Sequence, residues 1–354
     1  MKEKLIVILF AIYIFAFSIL GIVLPKDIYS YNERRKLKEF PSLTLDNTYV
    51  NKLDAYLLDH FPYRDFFRSI KANFNYKVLA QLDNNKIVIK DEYIFKLNYP
   101  TNQKSIENYK KNIKKLLENF TENNKVYMVI IPDKNYYLKD DNLLKLDYNY
   151  LEKELTKLDI NYIDIKNLLN LEDFYKTDTH WRQERLMKIV QELNKQMNIP
   201  YEEQDFKENV YSSFYGVYYG ESAINKKPDT LIYLNNSLLD SLKVTYLENP
   251  KLTTIYNLDK LKSKDSYEVF LDGASSFIEI INENSLTEKE LVVFRDSFGS
   301  SIAPLLTPYY KKITLIDNRY IDSNHFLEKI IFKDQDILFL NSTLLINESY
   351  TLKG

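Results

Sequence analysis

Only three histidines occur in 354 residues, so an imidazole base has few places to be. One of them, His180, stands two residues after Asp178 in FYKTDTHWRQERL, beside the only tryptophan, Trp181. Imidazole is the side chain best matched to taking a proton at neutral pH, and a carboxylate fixes its tautomer and stabilises its charged form. A second stretch, LVVFRDSFGSSIAPLL, supplies a group to activate: Ser297. A neutral serine is a poor nucleophile until a base takes its proton. The types and order of Asp178, His180 and Ser297 therefore suit acyl transfer at serine, with the Ser297 amide as a donor to a developing oxyanion. The bland alternative for Ser297 is a helix N-cap.

One rival shares these residues. His180 and Glu184 are four apart and, with Asp178 and Asp173, contain metal-binding groups, but no HExxH or His-rich cluster occurs. The other histidines carry less. His60, in DHFPYRD, reads as part of a structural turn in which Asp59, Arg64 and Asp65 pair around an aromatic. His325 lies in a polar, solvated segment, IDSNHFLEK.

The elements that must position these groups follow from the apolar pattern. Leu291 to Phe294 is a short apolar run ending at a polar turn, which suits a buried parallel strand. Val126 to Ile131, Tyr162 to Ile165, Ile313 to Ile316 and Asp336 to Leu340 read the same way. Helical patterns at about 105–120 and 148–158 separate the early ones. Strands alternating with helices over short connections predict an α/β fold, a parallel sheet with crossover helices. Open sheets of this kind place ligands beyond the carboxyl ends of their strands. Ser297, Lys134 and Arg319 all follow such ends, so Lys134 and Arg319 are candidate substrate-binding residues. A helix from Trp181 to about Met197 with Thr179 as its N-cap, a β-hairpin at Ile87 to Leu97, and strands at Tyr267 to Leu271 and Phe277 to Ile281 complete the expectation. Residues 198–265 break the alternation and contain YSSFYGVYYGES. There Tyr215, Tyr218 and Tyr219 are candidates for stacking on sugar faces, against the alternative of a packed loop in a tyrosine-rich chain.

Composition limits the classes. The net charge of −2 with scattered Lys and Arg leaves no nucleic-acid footprint. No cysteine is present, which removes disulfides, thiol catalysis and cysteine metal sites. Phosphate-cradling GxGxxG and GxxxxGK[ST] loops are absent. At the amino end, Leu5 to Leu24 is twenty residues without a charge, long enough for one membrane crossing. A signal peptide is the competing reading. Residues 1–24 are thus expected to be an anchor. A stalk and an amphipathic helical segment broken at Pro62 occupy 25–85, and an α/β domain with an inserted loop region at about 198–265 occupies 86–354.

FYKTDTHW and VVFRDSFGSSIAPLL resemble the two signature blocks of the DHHW family, related to the SGNH-hydrolase-like proteins of alginate and polysaccharide O-acetylation. NERRKLKEFP, DHFPYRDFF, IPDKN, FYGVYYGES, FLDGASS and DNRY fall in the family's order, so the resemblance spans nearly the whole chain after the first thirty residues. The serine block follows the histidine block, the reverse of ordinary SGNH hydrolases and similar to the circularly permuted acetylation proteins. The first histidine of the DHHW block is Thr179 here. The asparagine often found after Asp-Gly is Ala274.

The resemblance implies a three-layer SGNH-like (flavodoxin-like) parallel sheet with flanking helices, carried outside the cytoplasm on the N-terminal transmembrane helix. It implies Ser297, His180 and Asp178 as the catalytic set, oxyanion donors at Ser297 and Gly273, and no metal or cofactor. The acceptor would be an extracellular polysaccharide, with acetyl groups arriving through a membrane-bound O-acyltransferase. An O-acetyltransferase or acetylesterase is the leading expectation. A catalytically silent glycan-binding or assembly protein of a polysaccharide export system comes second, and a metal-dependent hydrolase last.

Overall fold

The computed structural model describes residues 2–44, 47–139 and 142–353. The chain divides into two compact units, one running to Ile87 with Val217–Lys226 added, the other comprising Val88–Gly216 and Lys227–Gly354.

The amino-terminal unit begins with α1 (Lys2–Val23), most of whose large apolar residues are exposed. Its Lys4–Val23 stretch is long and apolar enough to cross a membrane. A small ribbon follows, β1 (Tyr29–Ser30) with β2 (Arg35–Lys36). Then come α2 (Asn47–Asp59) and α3 (Arg64–Lys77), separated at Pro62 because a proline lacks the N–H a helix interior needs. The turn between them is tied by charge. Arg35 forks onto Asp59 at 2.8 and 2.5 Å, and Arg64 reaches Glu33 at 2.6 Å and Asp59 at 3.7 Å. His60 Nε2 meets the Lys38 carbonyl at 2.9 Å, the structural role its motif suggested.

The second unit opens with a hairpin, β3 (Ile87–Lys90) and β4 (Tyr93–Lys96), followed by α4 (Gln103–Leu117), β5 (Lys125–Ile131), α5 (Tyr148–Leu155), β6 (Asn161–Tyr162) and α6 (Met187–Gln196). An antiparallel pair comes next, β7 (Lys207–Phe214) with β8 (Asp229–Asn235); between them α7 (Val217–Ser222) is counted with the amino-terminal unit. The chain continues through α8 (Ser237–Asp240), β9 (Lys243–Tyr246), β10 (Phe277–Ile281), β11 (Glu290–Arg295), α9 (Gly299–Leu306), β12 (Lys312–Ile316), α10 (Ser323–Leu327), β13 (Asp336–Ser342) and α11 (Thr343–Asn347).

Seven of these strands form one sheet in the order β6-β5-β13-β11-β12-β10-β9. The first five are mutually parallel, and β10 and β9 extend the sheet antiparallel at one edge. Alternate residues of each strand face opposite sides. Tyr127, Val129, Val293, Leu338 and Leu340 pack on one side with α6, α9 and Trp181. Met128, Ile130, Phe294, Ile337 and Phe339 pack on the other with α4, α5 and Phe326 of α10. This is a three-layer α/β domain, and the double-sided burial explains why its central strands read as unbroken apolar runs. Two expectations need correction. Tyr267–Leu271 is a 3₁₀ turn (Ser266–Val269), because its aromatics pack over the site instead of lying on a pleat. The helix after His180 begins only at Met187, with Leu186 at its N-cap position, so Thr179 lies in the loop before it and is not its cap.

Candidate active site

Ser297 lies two residues past the end of β11, where the chain turns from the sheet into α9. Asp296 shapes that turn: its buried carboxylate accepts from the Phe298 amide at 3.0 Å and from the Ser342 amide at the end of β13 at 2.8 Å. One side chain thus ties two neighbouring strand ends together. Ser297 itself is part-exposed, and its amide has no hydrogen-bond partner among the described residues. An N–H left free beside a serine hydroxyl is what an oxyanion donor requires.

The loop 175–180 brings the base. The Asp229 carboxylate accepts from the amides of Lys176 and Thr177 at 2.9 and 2.7 Å and from the Thr177 hydroxyl at 2.6 Å. The loop closes where the Tyr175 amide meets the His180 carbonyl at 3.1 Å. Lys134 fixes it from beneath: its ammonium donates to the carbonyls of Tyr175, Lys176 and Asp178 at 3.0, 3.2 and 2.7 Å. Burial pulls this ammonium down to about 7, against the opposing pull of Asp178, Asp229 and Asp133. Lys134 is only 2% exposed, so the expectation that it binds substrate is corrected: it holds the loop.

Within this frame His180 Nδ1 lies 2.6 Å from Asp178 Oδ1, and His180 Nε2 lies 2.8 Å from Ser297 Oγ. A carboxylate can only accept, so Nδ1 carries the proton and Nε2 is left to accept from the serine. Asp178 Oδ1 also accepts from the His180 amide at 3.0 Å, which sets the two side chains in register. The Tyr267 ring lies flat against the imidazole, centroids 3.8 Å apart and planes 5° apart. Its hydroxyl donates to Ser301 at 2.9 Å, and burial pushes the phenol well up, so it stays neutral. Trp181 donates to the Phe298 carbonyl at 3.0 Å and to Ser301 Oγ at 2.9 Å. The residue after the base is thereby pinned to the helix after the nucleophile. Tyr267 was missed from sequence because its segment looked like strand.

The other candidates are placed differently. Arg319 forks onto Asp317 at 2.8 and 2.6 Å. Burial pulls its guanidinium down, but the bonds to Asp317 outweigh this and hold it charged. Asp317 also faces the buried Arg295 at 3.7 Å. Arg319 is therefore engaged in a rim ion network, a correction to its expected role on substrate. The Gly273 amide donates to the Phe270 carbonyl at 3.3 Å, so it is spent in its own turn and is not a second oxyanion donor. Tyr215 is 41% exposed just after β7; Tyr218 and Tyr219 lie in α7, in the other unit. The metal alternative is not assembled. Glu184 turns to Arg182 at 2.8 Å, Asp173 to Lys188 at 2.6 Å, and among the described residues no group of three His, Cys, Asp or Glu could hold an ion. His325 is exposed and pairs with Asp322 at 2.8 Å.

The fold recurs in solved structures. A DHHW family protein from Eubacterium siraeum aligns over 76% of this chain and 94% of its own at 19% identity, with a TM-score of 0.65. Bacillus cereus PatB1 aligns over 74% of this chain and 97% of its own at 16% identity, with a TM-score of 0.57. Its structure with a sulfonyl adduct aligns over 74% and 95% at 18% identity, with the same TM-score. At these identities the likeness is one of fold, the three-layer α/β arrangement described above. Comparison with curated proteins gives no match. A family model described as DHHW protein matches residues 135–316, just over half the chain, a span that contains the Asp178, His180 and Ser297 blocks together. The chain belongs to the DHHW family.

Proposed function

We propose that this protein is an extracytoplasmic serine-dependent acyl transferase that adds or removes O-acetyl groups on a cell-surface or secreted polysaccharide. The observation that carries the reading is the continuous relay Asp178–His180–Ser297, with bonds of 2.6 and 2.8 Å. In the first half-reaction Ser297 Oγ attacks the acetyl carbonyl while its proton passes to His180 Nε2. The Ser297 amide takes the charge on the carbonyl oxygen. Collapse breaks the ester bond, and His180 returns the proton to the leaving oxygen, leaving acetyl-Ser297. In the second half His180 deprotonates an acceptor hydroxyl, which attacks the acetyl carbon; the bond to Ser297 Oγ breaks and His180 hands the proton to the freed serine oxygen. Asp178 stays ionised throughout and stabilises the imidazolium. A sugar hydroxyl as acceptor makes the protein a transferase, water an esterase. The similarity of its two blocks to alginate O-acetylation proteins supports the sugar. With α1 in the membrane, acetyl groups would come from a membrane-bound O-acyltransferase.

The test is acetate release from an activated aryl acetate by the purified chain, together with labelling by an aryl sulfonyl fluoride. Wild type turns over slowly, because water replaces the proper acceptor, and the sulfonyl group lands on Ser297. Ser297→Ala and His180→Ala each lower the rate by about three orders of magnitude or more, and the double variant is little worse, since the residues act as a unit. A Ser297→Ala protein with the wild-type rate refutes the enzyme and leaves a glycan-binding protein.

A further inference from the structure

The amino-terminal unit carries a helix whose amphipathicity is turned inside out. In α3 the side facing the rest of its unit is charged: Arg64 and Arg68 reach Glu33 at 2.6 and 3.5 Å, and Arg68 donates to the carbonyls of Gly220 and Glu221 at 3.2 and 3.1 Å. The side facing out is apolar. Phe66, Ile70 and Phe74 follow one another at four-residue spacing and are 63, 50 and 50% exposed. Leu57, Leu58 and Phe61 at the end of α2 are exposed as well. A helix bathed in water presents the opposite arrangement, and a row of exposed large apolar side chains along one helix marks a contact surface.

Contacts with α1 identify what covers it. Phe17 stacks on Phe61 with centroids 5.5 Å apart and meets Phe67 edge-on at 5.7 Å. A Cβ placed on Gly21 would touch the Pro62 ring at 3.9 Å. Phe17 lies six residues before Val23, the end of the apolar stretch, which at a helical rise is about 9 Å inside it. When α1 spans a bilayer, the α2–α3 turn that touches Phe17 is carried below the headgroups to the same depth. Amphipathic helices that lie in the interface bury their apolar face by about 5–10 Å, so the two depths agree. The exposed cations Lys71 and Lys77 lie within and just beyond the stripe in the sequence, long enough to reach headgroups from there.

We infer that α2 and α3 form an interfacial hairpin, with Phe61, Phe66, Ile70 and Phe74 embedded in the same leaflet that α1 enters. The inference depends on α1 residing in a membrane and is independent of the chemistry at Ser297.

The absence of cysteine makes the test direct. Full-length single-cysteine variants Phe66→Cys, Phe74→Cys, Ile14→Cys and Lys114→Cys are labelled with an environment-sensitive fluorophore in phosphatidylcholine nanodiscs holding one protein each. Lys114 lies exposed on α4 and reports water. Labels at 66 and 74 should be blue-shifted and quenched by shallow nitroxide lipids about threefold or more over the label at 114, as expected for groups at the acyl boundary. The label at 14 should respond to deep nitroxide lipids. If 66 and 74 behave like 114 while 14 is quenched, the hairpin is not embedded. A blue shift at 66 and 74 without lipid quenching means protein covers them, which also overturns the inference. An unquenched label at 14 removes its premise.

Discussion

Gly216→Ala should disable the site without touching any residue of the relay. A Cβ on Gly216 would lie 2.3 Å from Asp178 Cβ, 2.4 Å from its Cα and 2.5 Å from its amide nitrogen. Favourable carbon contacts begin near 3.5 Å, so one backbone must retreat by roughly 1 Å. Gly216 itself is held by its amide, which donates to Thr177 Oγ1 at 3.0 Å, and Asp178 is held by Lys134 through its carbonyl. Any retreat therefore lengthens the 2.6 Å bond to His180 or swings the imidazole off Ser297. Displacements of about 1 Å in a catalytic array cost about 100-fold in rate, and the overpacking itself costs about 1–3 kcal/mol of stability. Gly216 does not occupy the left-handed region, so alanine adds no backbone penalty and the effect is steric. The assay is kcat/KM for aryl acetate hydrolysis beside a thermal melt. A folded Gly216→Ala protein with kcat/KM within about threefold of wild type would refute the argument that this close approach sets the position of Asp178.

Asp178→Asn should leave the fold intact but lower kcat by up to about 10⁴, because an amide can donate to Nδ1 and stabilise the wrong tautomer; rates and a melt decide it. Tyr267→Phe should keep turnover within a few-fold, since it keeps the ring on His180. Tyr267→Ala, which opens a cavity worth about 3–5 kcal/mol beside the imidazole, should lose both turnover and melting temperature. Lys134→Met should destabilise the protein by about 1–3 kcal/mol by taking a donor away from the buried Tyr175 and Asp178 carbonyls, and lower turnover further than its melting temperature suggests. Its pH dependence has a defined sign. The folded ammonium titrates at about 7, below the unfolded lysine, so between pH 7 and about 10 the unfolded chain binds more protons. Wild-type stability should therefore rise relative to Lys134→Met across that window, by at most about 1.4 kcal/mol per pH unit. Urea melts at pH 6.5, 8 and 9 measure it, and a flat difference contradicts the assignment.

The sheet was legible because its central strands are buried on both faces. Val126–Ile131, Leu291–Phe294, Ile313–Ile316 and Asp336–Leu340 each read as a largely apolar run closed by a proline or a polar residue, and each became a strand. Asp178, His180 and Ser297 were legible as types in order, since three histidines leave little choice. What the pattern could not convey was which rim residues are already committed. Arg319 and Lys134 occupy equivalent places after strands, yet one is held by its near neighbour Asp317 and the other by carbonyls some forty residues away. Local spacing carries no information about such distant acceptors. Tyr267 escaped for a related reason: alternating apolar residues fit a strand or a turn that packs its aromatics inward, and only the tertiary site distinguishes them. The inverted face of α3 was likewise invisible, because an amphipathic period does not say which side meets water.

The strand order also sets a schedule for biosynthesis. β13 lies between β5 and β11, so the strand that leads to Ser297 lacks one of its neighbours until residues 336–342 have been made. The same segment supplies the Ser342 amide that completes the Asp296 clamp on the turn before Ser297. A nascent chain that has already released Asp178, His180 and Ser297 thus holds the reactive groups without the scaffold that aligns them. Reactivity should switch on late and all at once, when the middle of the sheet is filled.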